Sequence, residues 1–255
     1  MSAWLFDLGN SRLKCAPLRA DGAVDTDGML GIGHDGAGFD DTLAQLPARF
    51  DSAYVASVAS PALTTALLDL LTQRCARITR ARTQSTSAGV RIAYADPQRL
   101  GVDRFLALLA AHARAPQPWL VVGVGTALTI DLLDGDGRHH GGRIAPSPTL
   151  MREALHQRAP QLPARGGRVV DFADDTIDAL ASGCEGAALA LVIDSHARAL
   201  QQLGAAPRVL LHGGGAQALA PGLPDVVQAP ALVLEGLARW VATLASTGGV
   251  APPAA

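Results

Sequence analysis

Two stretches of this chain share one pattern. Near the start, Ser2-Ala3-Trp4-Leu5-Phe6 is a short apolar run that leads into Asp7, then Gly9-Asn10-Ser11, then an alternating run through Leu13, Cys15 and Leu18. The pattern returns at Leu120-Val121-Val122-Gly123-Val124, followed by Gly125-Thr126-Ala127, Leu128-Thr129-Ile130 and Asp131. Each reads as strand, short polar glycine turn, strand. The same opening repeated half a chain apart predicts two copies of one α/β unit. Pro116-Gln117-Pro118 interrupts helix and sheet alike and marks the boundary. The expected division is residues 1–116 and 117–247, with a flexible Gly/Pro/Ala tail over 248–255. Facing each other, the two polar turns would open into one central cleft.

Helical spacing fills the rest. Ser60-Pro61 is a helix start, Ser as cap and Pro at the first position, with Leu63, Leu67, Leu68, Leu70 and Leu71 on one face. Residues 39–46, 105–114, 150–157 and 230–244 read as further helices, and a long Ala/Leu-rich stretch from Asp175 to Leu203 as the longest.

Composition narrows the function classes. With 49% apolar and 17% charged residues the chain is globular. A net charge of -2 without a basic run gives no footprint for nucleic acid. Cys15, Cys75 and Cys184 are far apart and form no CxxC pair, which argues against a disulfide framework or structural zinc and for a reducing compartment. The longest apolar run, Trp119 to Ile130, is too short to span a bilayer. A cytoplasmic protein without a membrane partner is expected.

The turns carry the chemistry. Asp7, Asn10, Ser11 and Lys14 put a carboxylate, an amide, a hydroxyl and an ammonium around one glycine turn, which suits a phosphate and its Mg²⁺; the same residue types also make an ordinary hairpin turn. Gly125-Thr126 with Thr129 offers backbone N–H groups and hydroxyls to a phosphate, and Gly213-Gly214-Gly215 lets backbone approach a nucleotide; either is equally readable as a tight turn. In Gly101-Val102-Asp103-Arg104, ahead of a helix, Asp103 either orients an acceptor hydroxyl while Arg104 binds an anion, or simply caps the helix and pairs with Arg104. His139-His140 reads as a solvated turn, and Gly31-Ile32-Gly33-His34-Asp35-Gly36 as a chance match to a dinucleotide fingerprint.

Taken in order, these motifs resemble the type III pantothenate kinase family, of the acetate kinase/sugar kinase/heat-shock chaperone/actin superfamily. DLGNSRLK resembles its first phosphate motif, YADPQRLGVDR its pantothenate motif, GVGTALTID its second phosphate motif, and GGRIAPS, DDTIDALASG and HGGGAQAL its later segments. The resemblance implies two duplicated RNase H-like domains of the actin-like ATPase superfold around a central cleft. It implies ATP-dependent phosphorylation of pantothenate to 4′-phosphopantothenate, the first step of coenzyme A biosynthesis, by a homodimer. Asp103 would be the catalytic residue, and Tyr94, Gly101, Val102, Asp103, Arg104 and Thr176 would hold pantothenate. Asp7, Leu8, Gly9, Asn10, Ser11, Arg12, Leu13 and Lys14, with Gly125, Thr126 and Thr129, would hold ATP, Asp7 also meeting Mg²⁺.

Four positions, in three segments, depart from the family pattern. Gly123 stands where the family has an Asp that helps bind a monovalent cation, K⁺ or NH₄⁺; His212-Gly213-Gly214-Gly215 stands for Thr-Gly-Gly-Asp; and Ser147 replaces a Gly. These departures leave a second reading, a catalytically weak member acting as a regulatory or accessory binding protein, and a third, a kinase for another small hydroxylated acid.

Overall fold

The computed structural model describes residues 2–34, 38–39, 41–223 and 225–246. The first sheet holds β1 (Ala3–Leu8), β2 (Arg12–Leu18), β3 (Leu30–Gly33), β4 (Phe50–Ser57) and β5 (Cys75–Arg80), in the order β3-β2-β1-β4-β5. Two short strands, β6 (Thr86–Ser87) and β7 (Val90–Arg91), pair separately. The last sheet holds β8 (Trp119–Val124), β9 (Ala127–Leu133), β10 (His139–Pro146), β11 (Arg208–His212) and β12 (Val226–Gln228), in the order β10-β9-β8-β11-β12. The two orders match position for position. In each, the opening strand pairs antiparallel with the strand after the polar turn and parallel with the fourth.

The helices are α1 (Pro61–Thr72), α2 (Val102–Arg114), α3 (Pro148–Arg158), α4 (Thr176–Leu203), α5 (Ala216–Leu219) and α6 (Leu232–Ser246). Their starts follow local chemistry. Ser60 Oγ accepts from the Leu63 N–H at 3.3 Å ahead of Pro61, Ser147 Oγ accepts from Leu150 at 3.2 Å ahead of Pro148, and the Asp175 carboxylate accepts from Asp178 at 2.8 Å. Gly204, in the left-handed region at φ 68°, ends α4. The helix expected over 39–46 is only a short 3₁₀ turn, Asp41–Gln45.

Two compact units follow. The first comprises residues 1–115, 136–139 and 231 onward; the second comprises 116–135 and 140–230. Pro116 opens the second unit, and the closing helix lies in the first. α6 packs along α2, and a Cβ at Gly236 would overlap the Leu106 carbonyl, so the two helices meet backbone to backbone. Arg114 clamps Glu235 across the same contact at 2.6 and 2.8 Å. Hydrophobic periodicity could place α6 on a helix but not choose its partner. The expected tail, 248–255, lies outside the described residues.

Apolar side chains fill both cores: Phe6, Leu8, Leu13, Ile32, Leu63 and Leu67 in the first unit, and Val122, Leu128, Ala188, Val192 and Leu211 in the second.

Candidate active site

Around the first turn, pairing of β1 with β2 runs to Leu8↔Leu13, which leaves Gly9 to Arg12 as the connection. The Gly9 N–H donates to the Arg12 carbonyl at 3.0 Å, and the Gly9 carbonyl lies 3.0 Å from His34 Nε2. Asn10, Ser11 and Arg12 are exposed. Leu8 and Leu13 are fully buried, so of the expected phosphate residues these two contribute backbone and core, not side-chain contacts. Strand alternation puts Asp7 and Lys14 on the other face, directly opposite one another in register. The Asp7 carboxyl is pushed up to about 7, chiefly by burial and also by the nearby Asp103 charge, while Lys14 opposes the rise.

The segment before α2 brings in the second carboxylate. Asp96 closes a turn by accepting from the Gln98 N–H at 3.0 Å, and Thr83 Oγ1 donates to the Leu100 carbonyl at 2.8 Å. Gly101 then opens α2 without a side-chain cap, Val102 is buried at its first position, and Asp103 folds back over the helix start, its Oδ1 accepting from the Arg104 N–H at 2.8 Å. The helix dipole favours negative charge there. A Cβ at Gly101 would come within 2.6 Å of Asp103 Oδ1, so this carboxylate position requires glycine at 101. Arg104 is only 7% exposed, and its Nη1 donates to the Tyr94 hydroxyl at 3.3 Å. Tyr94, Gly101, Asp103 and Arg104 are thus gathered in the unit that holds Asp7 and Lys14.

In the second unit, Gly125 and Thr126 form the exposed connection between β8 and β9, with the Gly125 N–H donating to the Ala127 carbonyl at 3.0 Å. Gly213, at φ 97°, and Gly215 wrap over Val124, whose carbonyl accepts from the Gly215 N–H at 3.0 Å. His212, Gly123 and Thr129 share one row across β11, β8 and β9. Thr176 is the exposed first residue of α4. Ser147, which replaces the family's glycine, is the α3 cap.

The expected monovalent-cation position fails a fit test. A Cβ at Gly123 would lie 2.7 Å from Thr129 Oγ1 and 2.9 Å from His212 Nε2. An imidazole and a hydroxyl already converge on the space that a carboxylate would need. Asp7 and Asp103 do fit Mg²⁺, since a desolvated carboxylate beside another is relieved by a divalent charge, and phosphate oxygens supply the remaining hard ligands. Among the described residues no cluster of three metal-binding side chains occurs.

Three histidines escaped the sequence reading. His34 touches the first turn, and the His212 ring lies against Gly123, on the strand that leads into the second. His139 is 1% exposed, not solvated, and its ring stacks on Tyr94 at 6.1 Å and 6°. His212 carried a signal, as the last residue of a strand before three glycines. His139, in a polar run, carried none.

Comparison with known proteins agrees with this geometry. The family model for "Type III pantothenate kinase" matches residues 4–198. A type III pantothenate kinase of Stenotrophomonas maltophilia (strain K279a) is 59% identical over 243 residues, 94% of this chain and 97% of that protein. One from Xanthomonas euvesicatoria pv. vesicatoria (strain 85-10) is 57% identical over 248 residues, 96% of this chain and 100% of that protein. Among solved structures, the activator of the 2-hydroxyisocaproyl-CoA dehydratase from Clostridium difficile with bound ADPNP superposes with a TM-score of 0.53 at 11% identity, covering 100% of both chains. An archaeal actin homolog, Ta0583, gives 0.50 at 10% identity, covering 95% of this chain and 100% of its own. The solved structures speak for an actin-like ATPase fold alone, but the near full-length identity speaks for more: this chain belongs to the type III pantothenate kinase family.

Proposed function

We propose that this chain phosphorylates pantothenate with ATP, giving ADP and 4′-phosphopantothenate for coenzyme A biosynthesis. The observation that carries the reading is the gathering of Asp103, Arg104 and Tyr94 beside Asp7 and Lys14, in a chain 59% identical to a named kinase of this type. Nothing comparable favours an accessory binding protein.

Asp103 orients the pantothenate hydroxyl. The hydroxyl oxygen forms a bond to the γ-phosphorus, the bond from that phosphorus to the β-bridging oxygen breaks, ADP leaves with the electron pair, and the hydroxyl proton passes to Asp103 Oδ2. Phosphoryl transfer runs through a loose transition state, so positioning and charge neutralisation dominate and Asp103 need not be a strong base. The buried Arg104 guanidinium meets the pantothenate carboxylate. Because the Tyr94 oxygen already accepts from Arg104, its own proton is directed elsewhere, as a donor to substrate. Gly101 and Val102 lend backbone, and Thr176 a hydroxyl from α4.

Asn10, Ser11, Arg12 and Lys14 hold the ATP phosphates with the backbone of Leu8, Gly9 and Leu13, and Gly125, Thr126 and Thr129 contribute from the second unit. Asp7 would hold Mg²⁺, which supplies charge neutralisation on the phosphates. No monovalent-cation site is assigned, since the space at Gly123 does not fit one. The matching strand orders support reading the units as two RNase H-like repeats.

α4 also supports a homodimer. It is apolar enough in composition to cross a membrane, yet Ala188, Val192 and Ala199 lie in the core of the second unit. Ile193 and Leu200 stay exposed on it, and Phe172 ahead of it is 99% exposed. A second copy of the chain covers such a surface. The chemistry belongs in the cytoplasm, where ATP and Mg²⁺ are found.

The direct test is ADP release by purified protein with pantothenate and Mg·ATP, with and without K⁺. Turnover supports the reading. Pantothenate bound without turnover in either buffer would favour the accessory protein.

A further inference from the structure

Tyr94 sits on a stretch with little regular structure. β7 ends at Arg91, and the next helical turn begins at Pro97. Between them, the Ile92 N–H donates to the Ser85 carbonyl at 3.0 Å, but the Ala93 N–H is answered by a side chain, His139 Nδ1 at 3.3 Å. Residues 136–139 belong to the first unit and run beside this stretch. The Arg91 N–H donates to the Gly137 carbonyl at 2.8 Å, and Arg91 and Arg138 form a parallel bridge. His139 thereby arrives behind Tyr94 with its ring nearly parallel to the phenol, 6.1 Å between centroids and 6° between planes, an offset stack.

The hydrogen bond defines the imidazole. Nδ1 accepts, so the neutral ring carries its proton on Nε2. Ring orientation is then set by the backbone of Ala93, one residue before the tyrosine that the ring supports. The chain of contact continues outward: the Tyr94 hydroxyl accepts from Arg104 Nη1 at 3.3 Å, and the Arg104 guanidinium lies 5.9 Å from the Tyr94 ring centroid.

We propose that His139 is a positioning residue of the pantothenate site, holding Tyr94 and through it Arg104 in the geometry that receives the acceptor. This rests on the pantothenate kinase reading and assigns His139 no contact with either substrate. A residue that acts through Tyr94 affects acceptor binding and leaves the phosphate side alone. One that is merely part of the core affects stability and both substrates together.

His139→Asn separates the two roles, because the Asn amide oxygen stands about where Nδ1 stood and keeps the Ala93 bond while the stacked ring is lost. The expected result is a rise of about three- to tenfold in the KM for pantothenate, the scale of one aromatic pair. The KM for ATP and kcat stay within about twofold and the thermal midpoint is held. In a Tyr94→Ala background the same substitution adds little, since its effect runs through the ring already removed. His139→Phe, which keeps a flat ring but not the acceptor, keeps part of the pantothenate affinity. An unchanged pantothenate KM in His139→Asn, equal rises for both substrates, or full additivity with Tyr94→Ala overturns the proposal. If His139→Asn does not fold, His139→Phe carries the same comparison. Wild-type protein that neither binds nor phosphorylates pantothenate overturns the functional reading itself, and this inference with it; wild-type turnover alongside an indifferent His139→Asn overturns the inference alone.

Discussion

His212 and Gly123 are register partners on neighbouring parallel strands, and the His212 ring reaches over Gly123 so closely that a Cβ there would lie 2.9 Å from Nε2. The two departures from the family pattern are therefore one departure. A glycine at 123 accommodates the imidazole, and the imidazole occupies what a carboxylate at 123 would use.

Turnover by this enzyme is accordingly expected to be indifferent to K⁺ and NH₄⁺. Gly123→Asp alone forces a side chain into filled space and costs about 1–3 kcal/mol, the usual penalty of overpacking. Gly123→Asp with His212→Thr restores the room and the family's pair, and is expected to make ADP release rise on adding K⁺. Equal rates with and without K⁺ in the double variant would mean that the carboxylate is not the missing element.

Asp103→Asn keeps the shape of the side chain and its bond to the Arg104 N–H but removes the proton acceptor. Turnover should fall by about 10²-fold or more while pantothenate still binds. Steady-state rates together with calorimetric titration of pantothenate check this, and a near wild-type rate would remove the role given to Asp103.

Gly101→Ala is a subtler probe of the same carboxylate. The added methyl would stand 2.6 Å from Asp103 Oδ1, so the carboxylate must swing away from the helix start. The backbone at 101 is at φ -51°, which alanine adopts without strain, so the fold should survive. The expected result is a loss of up to about 10²-fold in kcat with little change in thermal midpoint, the scale of an ångström of misplacement.

Asp7 gives a pH prediction with a definite sign. Its folded carboxyl titrates near 7, above the ordinary carboxylate value of 3.8, so the folded state holds this proton more tightly than the unfolded state. The ionised group is therefore unfavourable to the fold: stability falls as pH rises between about 4 and 7, and the full penalty stands above 7. Asp7→Asn should raise the thermal midpoint of the Mg²⁺-free protein by a few degrees at pH 8 and have little effect near pH 4. The same proton competes with a metal, so the apparent KM for Mg·ATP should rise as pH falls below about 7. A pH-independent KM between 6 and 8 would count against Asp7 as the Mg²⁺ ligand.

The parts legible in the sequence are those that local chemistry decides. Ser60, Ser147 and Asp175 announce helix starts by residue type, and the strand–turn–strand at Leu8–Leu13 and Val124–Leu128 follows from alternation and glycine. Asp103 and Arg104 could be singled out because a carboxylate and a cation at a helix start are unusual company for a lone glycine. What stayed hidden depends on contacts between distant segments. His139 matters because residues 136–139 run beside Arg91, and α6 joins the first unit because Gly236 lets it lie on Leu106. Within Asp7–Lys14, alternation sends the Leu8 and Leu13 side chains into the core, which leaves their backbone for the motif.

The position of α6 also bears on how the chain is made. Synthesis runs from the N-terminus, and every strand of the second unit has left the ribosome once Gln228 is out. The first unit is then still missing the helix that covers α2, because α6 begins at Leu232. The half encoded first is thus completed last. Until α6 is made, the apolar flank of α2 around Leu106 waits uncovered, and a nascent chain cut short before α6 carries a finished second unit and an unfinished first.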